Sequence, residues 1–164
     1  MLSKVLDKNT CAKCKICCGF AKSDEWEIPY ITKSQAKELE RKGYKIKNNG
    51  KYYTYDLEFV SDEVKYCPYL DFKKGCLLSE DEKPFDCKIW PVRLMKKNNE
   101  YFLAVADICP EFKDKKDDLK KLIDDDLLEK IKDYIKNNDY YINELKEDYT
   151  IIKKVDMGVW NENR

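Results

Sequence analysis

The chain has 164 residues, 43 % of them hydrophobic, enough for one compact domain or a domain with a helical extension, without cysteines to make up for a missing core. Its 32 Lys and Arg balance its 32 Asp and Glu, so no global positive field points to nucleic acid or to an anionic membrane surface. The opening MLSKVLDKNT lacks the apolar stretch of a signal peptide and no membrane-length apolar run follows, which reads as a cytoplasmic protein outside the membrane.

In that compartment eight cysteines and no histidine point to metal binding or redox chemistry rather than to a disulfide framework. The first feature along the chain is Cys11-Ala-Lys-Cys14-Lys-Ile-Cys17-Cys18. Thr32-Lys-Ser-Gln35 has capping-box spacing and Gly43 is placed as a C′ stop, so residues 33–42 are predicted to form a short helix. A hairpin is expected from Tyr44 to Lys47 and Lys51 to Leu57 around Asn48-Asn49-Gly50. Cys67, Cys76, Cys87 and Cys109 form the second group of thiols. Within it a further hairpin is expected, Val92 to Met95 with Tyr101 to Ala106 around Lys96-Lys97-Asn98-Asn99.

From Phe112 the pattern changes. Leu119, Leu122, Ile123, Leu127, Ile131, Tyr134 and Ile135 recur at three- and four-residue steps amid Lys and Asp, the mark of one or two amphipathic helices. Asn137-Asn138 is expected to interrupt the stripe before Tyr141, Ile142 and Leu145 resume it, and the charge run Lys113 to Lys121 reads as a solvated face. The tail from Asp148, with Met157-Gly158-Val159-Trp160, reads either as a docked segment or as a disordered end. The organisation expected is α+β. A metal-nucleated cysteine-cluster domain with short hairpins spans residues 1–112, and a helical extension packs on it over 113–164.

The cysteine spacing carries the chemistry. C-x2-C-x2-C curls three thiols toward one centre and supplies three ligands in bacterial ferredoxins, whose remaining ligand is followed by proline, as Cys67 and Cys109 are here. A zinc ribbon needs two C-x2-C knuckles, and only one such region exists. Soft thiolates suit zinc and iron–sulfur clusters alike. Adjacent side chains diverge, so Cys17 and Cys18 are expected to face different metals. Eight thiols divide into two four-ligand sites drawing on both groups, or into one site with the other cysteines as core residues. Lys13, Lys15, Lys65, Lys73, Lys74, Lys83 and Lys88 interleave with the thiols, either offsetting thiolate charge or simply solvated. Phe20, Trp26, Tyr66, Tyr69, Phe72, Phe85 and Trp90 lie close by in sequence, either screening a centre or packing a core.

Taken together, Cys11-Ala-Lys-Cys14-Lys-Ile-Cys17-Cys18, Cys67-Pro-Tyr-Leu70, Cys76 and Lys83-Pro84-Phe-Asp-Cys87-Lys-Ile-Trp-Pro91 resemble the CxxCxxCC zinc- or iron-chelating domain family, the YkgJ-like cysteine-cluster proteins, over roughly residues 8–111. The resemblance implies small metal-chelating proteins in which Cys11, Cys14, Cys17, Cys18, Cys67, Cys76, Cys87 and Cys109 are all candidate ligands. The chain departs from that pattern at Lys83, where the family has arginine, and at Glu111, where it often has glycine. Lysine lacks arginine's planar fork, so a bidentate role is not transferable to Lys83.

Two functions are expected in order. The first is an iron–sulfur protein, 4Fe-4S in type, serving redox or electron transfer or acting as accessory to another enzyme. The second is a structural zinc-thiolate module that binds a protein partner through its helical end. A self-contained enzyme is disfavoured: without histidine there is no Cys–His pair, and no Gly-rich turn is available to cradle a nucleotide cofactor.

Overall fold

The computed structural model describes Leu2, Val5 and residues 8–59, 63–138 and 141–157. It has the α+β character expected, with short helices and small, mainly antiparallel sheets. Two compact units divide it, Asp7–Ile89 and Trp90–Arg164 together with Met1–Leu6. The two units divide in sequence between Ile89 and Trp90. The second expected hairpin finds its strand partners beyond the helical segment, which joins it to the C-terminal half. Among the described residues no helix is long and apolar enough to cross a membrane.

The Asp7–Ile89 unit is built from small pieces. Helix α1 (Lys8–Cys14) leads through a 3-10 turn (Ile16–Cys18) into β1 (Gly19–Phe20), which pairs antiparallel with β4 (Lys65–Tyr66). Helix α2 (Lys33–Arg41) begins in the full capping box of Thr32 and Gln35. It ends with Gly43 at φ 85°, Tyr44 N–H donating to Leu39 O and Gly43 N–H to Glu40 O. Both ends follow directly from the sequence signals. Strands β2 (Ile46–Asn48) and β3 (Tyr53–Tyr55) form the expected hairpin, but the loop is Asn49–Tyr52 and only Gly50 takes positive φ, with its N–H bonded to Asn48 Oδ1. A hairpin not foreseen, β5 (Leu70–Asp71) and β6 (Gly75–Cys76), turns where Asp71 Oδ1 accepts the N–H groups of Lys73 and Lys74. Helix α3 (Phe85–Ile89) closes the unit.

Among the described residues every sheet in this unit has two strands, and such ribbons are marginal alone. Its stability therefore rests on the core, where Phe20, Ile28, Ile31, Leu39, Tyr55 and Tyr69 surround Cys67, with Cys18 packed at the edge.

One surface tie is pH-dependent. The loop ahead of α3 is fastened to the end of α2 by Glu82, which accepts Ser79 N–H at 2.9 Å and Lys42 Nζ at 3.0 Å. These bonds hold the Glu82 carboxyl down at about 2. Because the folded value lies below the unfolded one of about 4.3, the contribution is present above that pH and is lost as pH falls toward 2. Glu82→Gln is therefore expected to lower stability at pH 7 and to converge with wild type in acid, as read from urea midpoints at pH 7 and pH 2.5. Added salt should shrink the difference, since the pair is exposed.

The second unit carries one four-stranded sheet in the order β10-β8-β7-β9. Strands β7 (Val92–Lys97) and β8 (Glu100–Ala106) are joined by Asn98 and Asn99 at φ 51° and 62°, the two left-handed residues of a tight hairpin turn. Helix α4 (Pro110–Asp114) starts at Cys109, and α5 (Lys116–Leu122) continues through a π-helical turn (Ile123–Leu127) into α6 (Leu128–Lys136). Leu119, Ile123, Leu127, Ile131 and Ile135 recur every four residues and are each at most 1 % exposed. On a regular α-helix a four-residue repeat overshoots by about 40° per step. The wider π turn, with Leu128 N–H reaching Ile123 O, rotates less and keeps the stripe on one face. The charged residues from Lys116 to Lys121 lie exposed around buried Leu119, as a solvated face should.

One reading of this half is corrected and one left open is decided. After Asn137 the stripe does not resume as helix: β9 (Asn143–Glu144) runs parallel to β7, with Leu145 N–H donating to Lys96 O. The segment after Asp148 forms β10 (Tyr149–Val155), paired antiparallel with β8. Sheet pairing here outweighs a helical spacing that only three residues supported. Gly158, Val159 and Trp160 of the tail lie outside the described residues.

Candidate functional site

Seven of the eight predicted ligands belong to the Asp7–Ile89 unit and Cys109 to the other. Cys11 and Cys14 are three residues apart on α1, hence on one face. Lys15, at φ 61°, reverses the chain so that Cys17 and Cys18 follow in the 3-10 turn with their sulfurs 3.9 Å apart. The expected divergence of this adjacent pair does not occur, because the tight turn places both thiols on one side. Cys67 N–H donates to Cys18 O at 2.7 Å, extending the β1–β4 pairing and drawing the first and second cysteine groups together. Cys76 ends β6 opposite Leu70, and Cys87 sits in α3. That helix is tied down by Asp86, buried and accepting Tyr30 N–H at 2.7 Å.

Four of these thiols, from a turn, a strand end, a hairpin and a helix, act on one another. The Cys17 thiol is pushed far up by its hydrogen bond to Cys18, by burial and by the Cys18 charge, with Lys83 pulling the other way. Burial, then Cys76 and Cys17, raise Cys67 to about 11, against the opposing pull of Tyr69 N–H and the Tyr55 hydroxyl. Burial, then the charges of Asp86, Cys67, Cys17 and Cys76, raise Cys87 well above its usual value, although part of that residue faces solvent. Without a cation Cys17, Cys67 and Cys87 therefore hold their protons. Lys83 is the lysine this geometry singles out. Burial works against its charge, but Glu80 at 3.2 Å more than compensates and raises its pKa. Of the others, Lys15 lies over the Phe72 ring and Lys65 faces Glu63.

Sequence reasoning did not single out Tyr55 or Asp86. Tyr55 is 1 % exposed, its hydroxyl is buried without a hydrogen-bond partner, and it lies in the same core as Cys67. Its own proton is firmly held, by burial first and then by the charges of Cys67, Cys87, Tyr69 and Cys76. The signal for Asp86 was its place between Pro84 and Cys87. For Tyr55 only the hairpin register, which sets Tyr55 opposite Ile46, points inward.

Among the described residues no group of three Cys, Asp or Glu side chains converges closely enough to hold a metal ion as they stand. The donor chemistry nevertheless fits a thiophilic metal: soft sulfurs, mutual repulsion that a cation would relieve, and a buried hydroxyl short of a bond beside one sulfur. Cys109, 3 % exposed, begins α4 with its N–H on Ala106 O and its carbonyl accepting Phe112 N–H. Fold and site thus define a small α+β protein with a thiol cluster in its N-terminal unit. No protein-family model, curated protein or solved structure matches the chain.

Proposed function

We propose that Asp7–Ile89 is a metal-thiolate unit, and that it carries an iron–sulfur cluster of the 4Fe-4S type for electron transfer or as accessory to another enzyme. What supports this reading is that Cys17, Cys67, Cys76 and Cys87, from four separate segments of one unit, lie near enough for Cys67 and Cys87 to feel the charge of the others. The ferredoxin-like C-x2-C-x2-C run favours iron and sulfide over a bare ion, and the resemblance to the CxxCxxCC proteins points the same way only as far as metal chelation. Cys67 would be fixed by its N–H bond to Cys18 and by Tyr69 N–H on its sulfur, Cys87 by the Asp86 anchor, and Lys83 would offset part of the thiolate charge. A cluster supplies a one-electron couple.

A zinc-thiolate module is the second reading, favoured by a unit whose described sheets are all two-stranded ribbons, which a redox-silent cross-link would stabilise. A protein partner fits either reading. Tyr66 and Phe72, 45 % and 57 % exposed, stack edge-on at 4.9 Å beside the thiol segments and offer an apolar contact surface. Placement in the cytoplasm belongs to the same proposal.

Anaerobic purification, followed by assay of iron, zinc and acid-labile sulfide with a visible spectrum, separates the readings. Iron and sulfide in equal amounts with broad visible absorption are expected. Zinc alone and a colourless protein would favour the structural module. Protein that neither retains nor takes up metal would end the proposal.

A further inference from the structure

We infer that Cys17 and Cys18 are a redox pair whose thiols close reversibly to a vicinal disulfide, a reaction of the two sulfurs alone that stands apart from the metal reading. The sulfurs lie 3.9 Å apart, and both residues are only partly buried, so a small reagent can reach them. Backbone bonds hold the approach in place. Lys15, at φ 61°, turns the chain out of α1, and Cys18 N–H donates to Lys15 O at 3.0 Å. On the other side Cys67 N–H donates to Cys18 O at 2.7 Å, and Gly19 N–H closes the turn on Ile16 O. The Lys15 ammonium sits 5.5 Å from the centre of the Phe72 ring, a contact that favours the same turn. Adjacent side chains of a strand would point to opposite faces, whereas this turn presents two thiols to one oxidant.

The oxidant is a low-molecular-weight disulfide, RSSR. One protein thiol, deprotonated, attacks a sulfur of RSSR, breaking its S–S bond and releasing RS⁻; its neighbour, deprotonated in turn, attacks the protein sulfur of the mixed disulfide and releases the second RS⁻. The two cysteines together give up two electrons and two protons, and RSSR becomes two RSH. Because the second attack comes from the adjacent residue, it is intramolecular and favoured over reaction with free RSH. The product is strained. Neighbouring Cα atoms are about 3.8 Å apart, short of the roughly 4.4–6.8 Å that disulfides usually span, and the sulfurs must close to about 2 Å. Such a bond is easily reduced, which makes the pair a reporter of the thiol–disulfide balance around it rather than a permanent cross-link.

The test exposes the full chain, reduced and treated with chelator, to graded ratios of oxidised to reduced glutathione, with and without urea, and then blocks free thiols with iodoacetamide. Trypsin releases residues 16–22, which contain Cys17 and Cys18 and no other cysteine, so closure appears in the mass spectrum as an unalkylated peptide lighter by two hydrogens. Without urea this closed peptide is expected at about tenfold less oxidised glutathione than the urea-unfolded chain requires, and excess reduced glutathione should reopen it. Lys15→Gly, free to take positive φ, should close as wild type does, whereas Lys15→Val, which resists that conformation, should need about fivefold more oxidant. The inference is overturned if Cys17 and Cys18 stay alkylated or glutathionylated, pair with other cysteines, close no more easily than in urea, or form a bond that reduced glutathione does not open. Equal closure in Lys15→Gly and Lys15→Val overturns it as well, since the turn at Lys15 would then play no part.

Discussion

Cys67→Ser is expected to abolish metal binding and to unfold the Asp7–Ile89 unit at temperatures where wild type is intact, whereas Cys109→Ser should keep the full metal stoichiometry. Cys67 is a core residue whose thiol is raised chiefly by burial. Its loss removes a ligand, replaces a soft donor by a hard one, and buries a hydroxyl at a further cost of about 1–3 kcal/mol. If metal binding is coupled to folding, the free energy at stake is on the order of 10 kcal/mol, far above what the two-stranded ribbons of this unit supply. Cys17→Ser, Cys76→Ser and Cys87→Ser should lower stoichiometry in the same way. Cys109 is buried in the other unit at the head of α4, so its replacement should cost stability there and leave metal untouched. Metal analysis of the purified variants, with circular dichroism before and after chelation, reads all of these. Retention of metal by Cys67→Ser, or its loss from Cys109→Ser, would show that the thiols divide differently from the cluster proposed.

Local signals in the sequence were read well where a few adjacent residues settle the conformation. Thr32 and Gln35 cap α2, Gly43 ends it, and Asn98-Asn99 turns β7 into β8. The five-fold recurrence from Leu119 to Ile135 made the helical segment legible, though not the π turn that a four-residue repeat demands. What local signals left open depends on distant partners. Tyr149–Val155 contains β-branched Thr150, Ile151 and Ile152, a usable strand signal, but its place in the sheet is fixed by β8 more than forty residues earlier. The boundary near Ile89 follows from that same pairing. At the site, cysteine identity and spacing could be read directly. The 3.9 Å approach of Cys17 and Cys18 could not, because it depends on the left-handed conformation of Lys15, a residue with no intrinsic preference for it.

Gly75→Ala should damage the unit more than any other glycine replacement in it, and comparison with Gly50→Ala isolates the reason. Both glycines have nearly the same backbone, φ 83° and 87°, so both variants carry the dihedral penalty of an L side chain, about 1–2 kcal/mol. Around Gly50 a new methyl meets nothing within 4 Å. At Gly75 it would lie 2.9 Å from Ala12 Cβ and 3.2 Å from Ala12 Cα. Neither atom belongs to a flexible side chain, so α1 itself must move. That helix carries Cys11 and Cys14, and Gly75 adjoins Cys76, so the displacement reaches thiols of both cysteine groups. Gly75→Ala is therefore expected to lose about 1–3 kcal/mol beyond Gly50→Ala, to expose Cys11 and Cys14 to faster alkylation, and to lower metal affinity. Gly50→Ala should leave alkylation and metal binding as they are. Urea unfolding and timed iodoacetamide labelling with mass spectrometry provide the readout. Equal losses in the two variants, with unchanged labelling of Cys11 and Cys14, would mean that the packing of α1 on the β5–β6 hairpin does not hold the first cysteine group in place.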